Sequence, residues 1–143
     1  IWLRVTFEVE LFSWILLSVI ATDTGAFIAG SIIGGIKLAP NISPNKTWAG
    51  LLGGILSSLM VAWIFYSFWL ETNNPSLFIM AILLAIVSQI GDLVESAYKR
   101  SYKIKDSSRL IPGHGGLLDR LDGHIAAGIF ISFILLYTDR TLI

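Results

Sequence analysis

The sequence predicts an all-α, polytopic integral membrane protein, with about four transmembrane helices and cytoplasmic polar loops that form an active site. Three observations carry that prediction. Hydrophobic residues make up 55% of the 143 and charged residues only 14%, against about 25% charged in a soluble domain, and mean hydropathy is +0.75. Four apolar stretches, at 11–34, 48–70, 76–97 and 117–138, approach or exceed the roughly 20 residues a helix needs to cross a bilayer. Charge is also concentrated: eleven of the twenty formally charged side chains fall between Asp92 and Asp122. Charge held beside lipid is costly and marks function by default.

The first stretch carries ATDTGAF (21–27), with Asp23 beside Thr22, Thr24 and a helix-loosening Gly25. A lone intramembrane aspartate is either a functional group or a buried capping or pairing residue. After it comes NISPNKTWAG (41–50). Ser43 followed by Pro44 predicts an N-cap and a first-turn proline for the second helix. Asn45, Lys46 and Thr47 then become donors near a helix N-terminus, where dipole and amides favour phosphate. The second stretch has no charge between its ends, Trp48 and Trp69 suit an interfacial aromatic belt, and Gly50, Gly53, Gly54, Ser57 and Ser58 suit close helix packing. ETNNPS (71–76) is a turn.

In the third stretch, GDLVESAYKR (91–100) places Asp92, Glu95, Ser96 and Lys99 on one helical face. A carboxylate inside the membrane, then a hydroxyl and an ammonium along the same stripe, suits a metal-plus-phosphate site. Glu95 either joins that site or pairs with Lys99 at i,i+4; Asp92 has no partner at that spacing. The fourth stretch opens with GLLDRLDG (116–123), where Asp119 and Asp122 are three apart. They either favour the positive end of the helix dipole or, at the mouth of a helix hairpin, come near enough to Asp92 to share divalent cations. Oxygen ligands, no cysteine and only His114 and His124 favour Mg²⁺ over Zn²⁺. The connecting KIKDSSRLIPGHGG is stopped by Pro112, and Gly113, Gly115 and Gly116 let backbone amides approach a ligand as an anion nest. Lys99, Arg100, Lys105 and Arg109 add positive charge. His114 is a proton carrier, a phosphate ligand or an ordinary hydrogen-bonded histidine.

Seven basic residues lie in the two long loops and two, Arg4 and Arg140, on the opposite face. The positive-inside rule therefore puts the long loops in the cytoplasm. Zero net charge argues against a nucleic-acid surface, and the absence of GxxxxGK[ST] excludes a P-loop. A transporter built on Asp23, Asp92 and Asp119 fits the carboxylates but not the basic His-Gly-Gly loop.

That loop carries a resemblance. Ser96, Lys99-Arg100, Lys105-Asp106, His114-Gly115-Gly116, Asp119-Arg120 and Asp122 stand at the spacing of the phosphatidate cytidylyltransferase (CDP-diacylglycerol synthase) signature, and DTGAF (23–27) and SPNKTWAG (43–50) are similar to its upstream elements. Tyr98 stands where an aliphatic residue or Phe is usual, and Ala49 where Glu is common. The resemblance spans about residues 20–138 and implies that residues 1–143 form a single transmembrane catalytic domain, the C-terminal portion of a longer protein.

It further implies a nucleotidyltransferase of phospholipid biosynthesis, making CDP-diacylglycerol and pyrophosphate from CTP and phosphatidic acid with one or two Mg²⁺ ions. The expected setting is a bacterial inner membrane with the active site facing the cytoplasm, and with homodimerisation open. Asp92, Asp119, Asp122 and Asp23 are the expected metal ligands. Lys99 and Arg100 are expected at the catalytic centre. Substrate is expected on Asn45, Lys46, Ser96, Lys105, His114, Gly115, Gly116 and Arg120. Polyprenol or phytol kinases and archaeal CDP-lipid synthases share this chemistry.

Overall fold

A computed structural model describes residues 9–68, 75–102, 104 and 118–137, with no side-chain detail for Glu10 or residues 118–120. Four helices and one small β-ribbon make up the described chain: α1 (Val9–Ile32), β1 (Lys37–Ala39), β2 (Ser43–Thr47), α2 (Trp48–Phe68), α3 (Ser76–Ser101) and α4 (Leu118–Tyr137). Three of the helices are long and apolar enough to cross a membrane; in α4 the apolar stretch, Leu121–Tyr137, is shorter. The outer faces stay apolar. Leu52, Leu56, Met60 and Trp63, spaced by about one helical turn along α2, are each more than half exposed, as a face turned to lipid would be.

Small residues let the backbones of α1 and α2 touch. A methyl group on Gly25 would stand 2.7 Å from the Gly53 carbonyl oxygen, and one on Gly54 would stand 2.9 Å from that of Thr22. The expected packing role of the α2 glycines is thus borne out, and Gly25 belongs to the same seam. It does not loosen α1, which runs unbroken through it. Trp14 and Val19 of α1, Ala62 and Phe65 of α2, Ala81 and Leu84 of α3, and Ala127 and Ile131 of α4 fill the centre. Ser58 is fully buried and donates to the Ala81 carbonyl at 3.0 Å, tying α2 to α3.

Three boundaries differ from the sequence reading. α1 ends in the glycine pair Gly34 (φ 64°) and Gly35 (φ 87°), left-handed positions that stop a helix. The chain then forms an antiparallel ribbon, Lys37 opposite Thr47 and Ala39 opposite Ser43. Ser43 and Pro44 therefore lie in β2 and do not cap α2. A two-stranded ribbon consists only of edges, where proline's missing N–H is tolerated. The cap is Thr47, whose Oγ1 accepts the Gly50 amide at 3.0 Å. α3 continues beyond residue 97 to Ser101, so Lys99 and Arg100 stand in its last turn, where the helix dipole favours cations. The turn residues 71–74 and Trp69 lie outside the described residues.

Candidate active site

Asp23 and Asp92 each lie nine residues before the last residue of their helix, about 14 Å along the axis. Both line one cavity, so the two carboxylates share one level of the bundle. Into this level β2 projects Lys46. Its ammonium donates to Asp92 Oδ2 at 2.9 Å and to the Gln89 carbonyl oxygen at 3.2 Å. Both ends of the ion pair are about one-fifth exposed, so the attraction is screened less than at an open surface. Gln89 reaches the other way, its Nε2 making a long 3.5 Å contact with Asp23 Oδ1. Asp23, Asn45, Lys46, Thr47, Gln89 and Asp92 share the lining of a cavity of about 220 Å³.

On its other side Asp92 meets α4. Its Oδ1 is buried without a hydrogen-bond partner and lies against Gly123, the neighbour of Asp122 in α4. Two ionised carboxylates accept only, so neither satisfies the other. Asp122 Oδ1 takes the Gly123 amide at 2.8 Å. A buried, unsatisfied carboxylate oxygen with a second acidic residue nearby suits a hard cation with oxygen ligands. Among the described residues, however, no three Asp, Glu or His side chains close round one point.

The expected site residues are distributed unevenly. Asp23, Asn45, Lys46 and Asp92 come together at the cavity, and Asp122 adjoins Asp92. Lys99 is 3.4 Å from Glu95 on the same helix, so the i,i+4 pairing of Glu95 is present. Ser96 is half-buried and Arg100 exposed on the last turns of α3. Thr22 and Thr24 bond back to the Ser18 and Ile20 carbonyls of their own helix and do not serve the cavity. Asp119 and Arg120 stand in the first turn of α4, but their side chains lie outside the described residues, as do Lys105, Asp106, Arg109, His114, Gly115 and Gly116.

One contributor escaped the sequence reading, and a second has a further role. Gln89, one turn before Asp92 and only 5% exposed, was visible as a lone amide inside an apolar span. Thr47, expected as a donor near the helix N-terminus, is also the cap of α2, a role visible as a hydroxyl directly before the apolar run.

The cytidylyltransferase family model matches residues 4–138. Among curated relatives, a protein named phosphatidate cytidylyltransferase from Haemophilus influenzae is 42% identical over 125 residues, covering 84% of this chain and 43% of the relative. Proteins of the same name are 47% identical in Brucella suis (78% of this chain, 41% of the relative) and 46% identical in Staphylococcus epidermidis (82% and 45%). The chain thus spans less than half the length of these relatives. A solved structure described as an intramembrane enzyme for archaeal membrane lipids biosynthesis superposes with a TM-score of 0.58 at 22% identity, covering 89% of this chain and 82% of that one. It supports the fold. With a family model that matches nearly the whole sequence, the chain belongs to the cytidylyltransferase family.

Proposed function

We propose that the protein containing this chain is a phosphatidate cytidylyltransferase. A phosphate oxygen of phosphatidic acid bonds to the α-phosphorus of CTP. The bond from that phosphorus to the α,β-bridging oxygen breaks, and its electron pair leaves with pyrophosphate. The lipid phosphate is already a nucleophile, so the protein's task is to gather anions and align them.

The observation that supports this reading most directly is the Lys46–Asp92 ion pair lining a cavity inside an otherwise apolar bundle. The names of the curated relatives support the choice of reaction.

Mg²⁺, when bound, would neutralise phosphate charge and polarise the reacting phosphoryl group. Asp92 and Asp119 are proposed to hold it, with Asp122 and Asp23 outside them. The buried Asp92 Oδ1 beside the Asp122 carboxylate fits that role. Lys46 and Asn45 border the cavity where the nucleotide phosphates would lie. Lys99, Arg100, Lys105 and Arg120 are proposed to hold the remaining phosphate charge. Ser96 is assigned a phosphate hydrogen bond, and His114, Gly115 and Gly116 a backbone cradle. The basic connections are proposed to face the cytoplasm, a reading that their lysine and arginine content supports.

The test is formation of CDP-diacylglycerol from labelled CTP and phosphatidic acid by the intact protein, with and without Mg²⁺. Asp92→Asn should abolish turnover while the protein still inserts, and wild-type-like turnover would sink the metal assignment. Labelled-CTP consumption with phytol or a polyprenol, and none with phosphatidic acid, would instead identify a lipid kinase.

A further inference from the structure

Asp92 has two oxygens in different circumstances. Oδ2 is held by Lys46 at 2.9 Å, whereas Oδ1 is buried, has no hydrogen-bond partner and lies towards Gly123, whose missing side chain leaves it room. Lys46 itself is fixed at two points, by Asp92 and by the main-chain oxygen of Gln89. An ammonium has three N–H donors. Two are used here, and the third remains for the cavity that Lys46 borders.

We propose that Lys46 is the positioning residue of the cation site: it holds Oδ2 of Asp92 so that Oδ1 alone faces the cation, and it keeps that place when the cation binds. The inference rests on the reading of Asp92 as a metal ligand and adds a role to Lys46 beyond contact with nucleotide phosphate. Its physical basis is that a carboxylate free to rotate presents either oxygen or both, whereas one pinned at a single oxygen presents the other in one direction. Hydrogen-bonding partners of metal ligands act in this way, and their loss weakens metal binding by about 10–100-fold. Gln89 supports the arrangement through its backbone, so the height of the ammonium is set by α3 itself. Because Thr47 caps α2 immediately after Lys46, the lysine is anchored on its C-terminal side as well.

The experiment measures Mn²⁺ binding to the intact protein in detergent, without nucleotide or lipid, by the loss of the free-ion electron paramagnetic resonance signal. Lys46→Met should weaken Mn²⁺ binding by about 10–100-fold, and Lys46→Arg should recover part of the loss. Asp92→Asn is the control for the underlying reading. If it leaves Mn²⁺ binding intact, Asp92 is not a ligand and both the metal assignment and the role of Lys46 fall. If Asp92→Asn removes binding but Lys46→Met binds Mn²⁺ as tightly as wild type or more tightly, the metal assignment stands and the positioning role is overturned.

A second measurement needs no folded Lys46 variant. Acetylation of Lys46 in the wild-type protein, read by mass spectrometry, should stay as low with Mn²⁺ as without it, and Asp92→Asn should raise it several-fold. A rise caused by Mn²⁺ alone would mean that the metal displaces the ammonium, and would overturn the proposal.

Discussion

Gly123 of α4 and Asp92 of α3 meet with no side chain between them. A methyl group on Gly123 would stand 2.9 Å from Asp92 Oδ1 and 3.5 Å from the Ser88 carbonyl oxygen. Gly123→Ala should therefore push the carboxylate off its position and cost about 1–3 kcal/mol of stability, as overpacking does, with turnover falling more than the stability loss explains. Gly128, on the same helix, has nothing within 4 Å of an added methyl. Gly128→Ala should lie within about 0.5 kcal/mol of wild type or stabilise slightly. Thermal midpoints and CDP-diacylglycerol formation for the two variants decide the matter, and equal behaviour would remove the special status of Gly123.

Lys46 and Asp92 should be energetically coupled. Removing one partner of a sheltered ion pair strands the other, whereas removing both costs less. Because each side chain is about one-fifth exposed, a modest coupling of about 1–3 kcal/mol is expected. The measurement is a double-mutant cycle with Lys46→Met, Asp92→Asn and the double variant, read by unfolding in mild detergent. Additive losses would show that the pair contributes nothing as a pair.

Thr47→Ala should cost about 1 kcal/mol through loss of the α2 cap, since the Gly50 amide then lacks its 3.0 Å acceptor. Thr47→Ser keeps the oxygen and should retain most of that stability. Turnover should follow the same order, because Lys46 is the preceding residue. Paired melting and activity measurements on the two variants test both statements.

Ser58→Ala removes the buried bond to the Ala81 carbonyl. Hydrogen bonds between membrane helices average about 0.6 kcal/mol, at most about 1.7, so the variant should be slightly less stable. Turnover should not change, because Ser58 borders no part of the cavity. A large loss of activity with normal stability would contradict this.

Much of this architecture was legible in the sequence because its signals are chemical. Runs of apolar residues announced the spans, Gly53 and Gly54 announced a closely packed face on α2, and an aspartate in an apolar run announced Asp23 and Asp92. What was not legible depends on distance in sequence. The partner of Asp92 lies 46 residues away on a strand, and no helical spacing rule reaches across that interval. The β-ribbon was hidden for a related reason. Ser-Pro is a good helix start and also tolerable on a sheet edge, and local propensity does not choose between them. Gln89 went unremarked because its importance lies half in its backbone oxygen, which every residue has.

The α1–α2 seam bears on how the bundle answers its surroundings. Bilayers differ in thickness, and spanning helices respond by tilting. Helices separated by long side chains can tilt independently, sliding past one another as they do so. Here Gly25 and Gly53 bring main chain against main chain, so α1 and α2 tilt as a single stave. Asp23 rides on α1 and Lys46 on the residues leading directly into α2, so main-chain contact, not long side chains, sets their relative height.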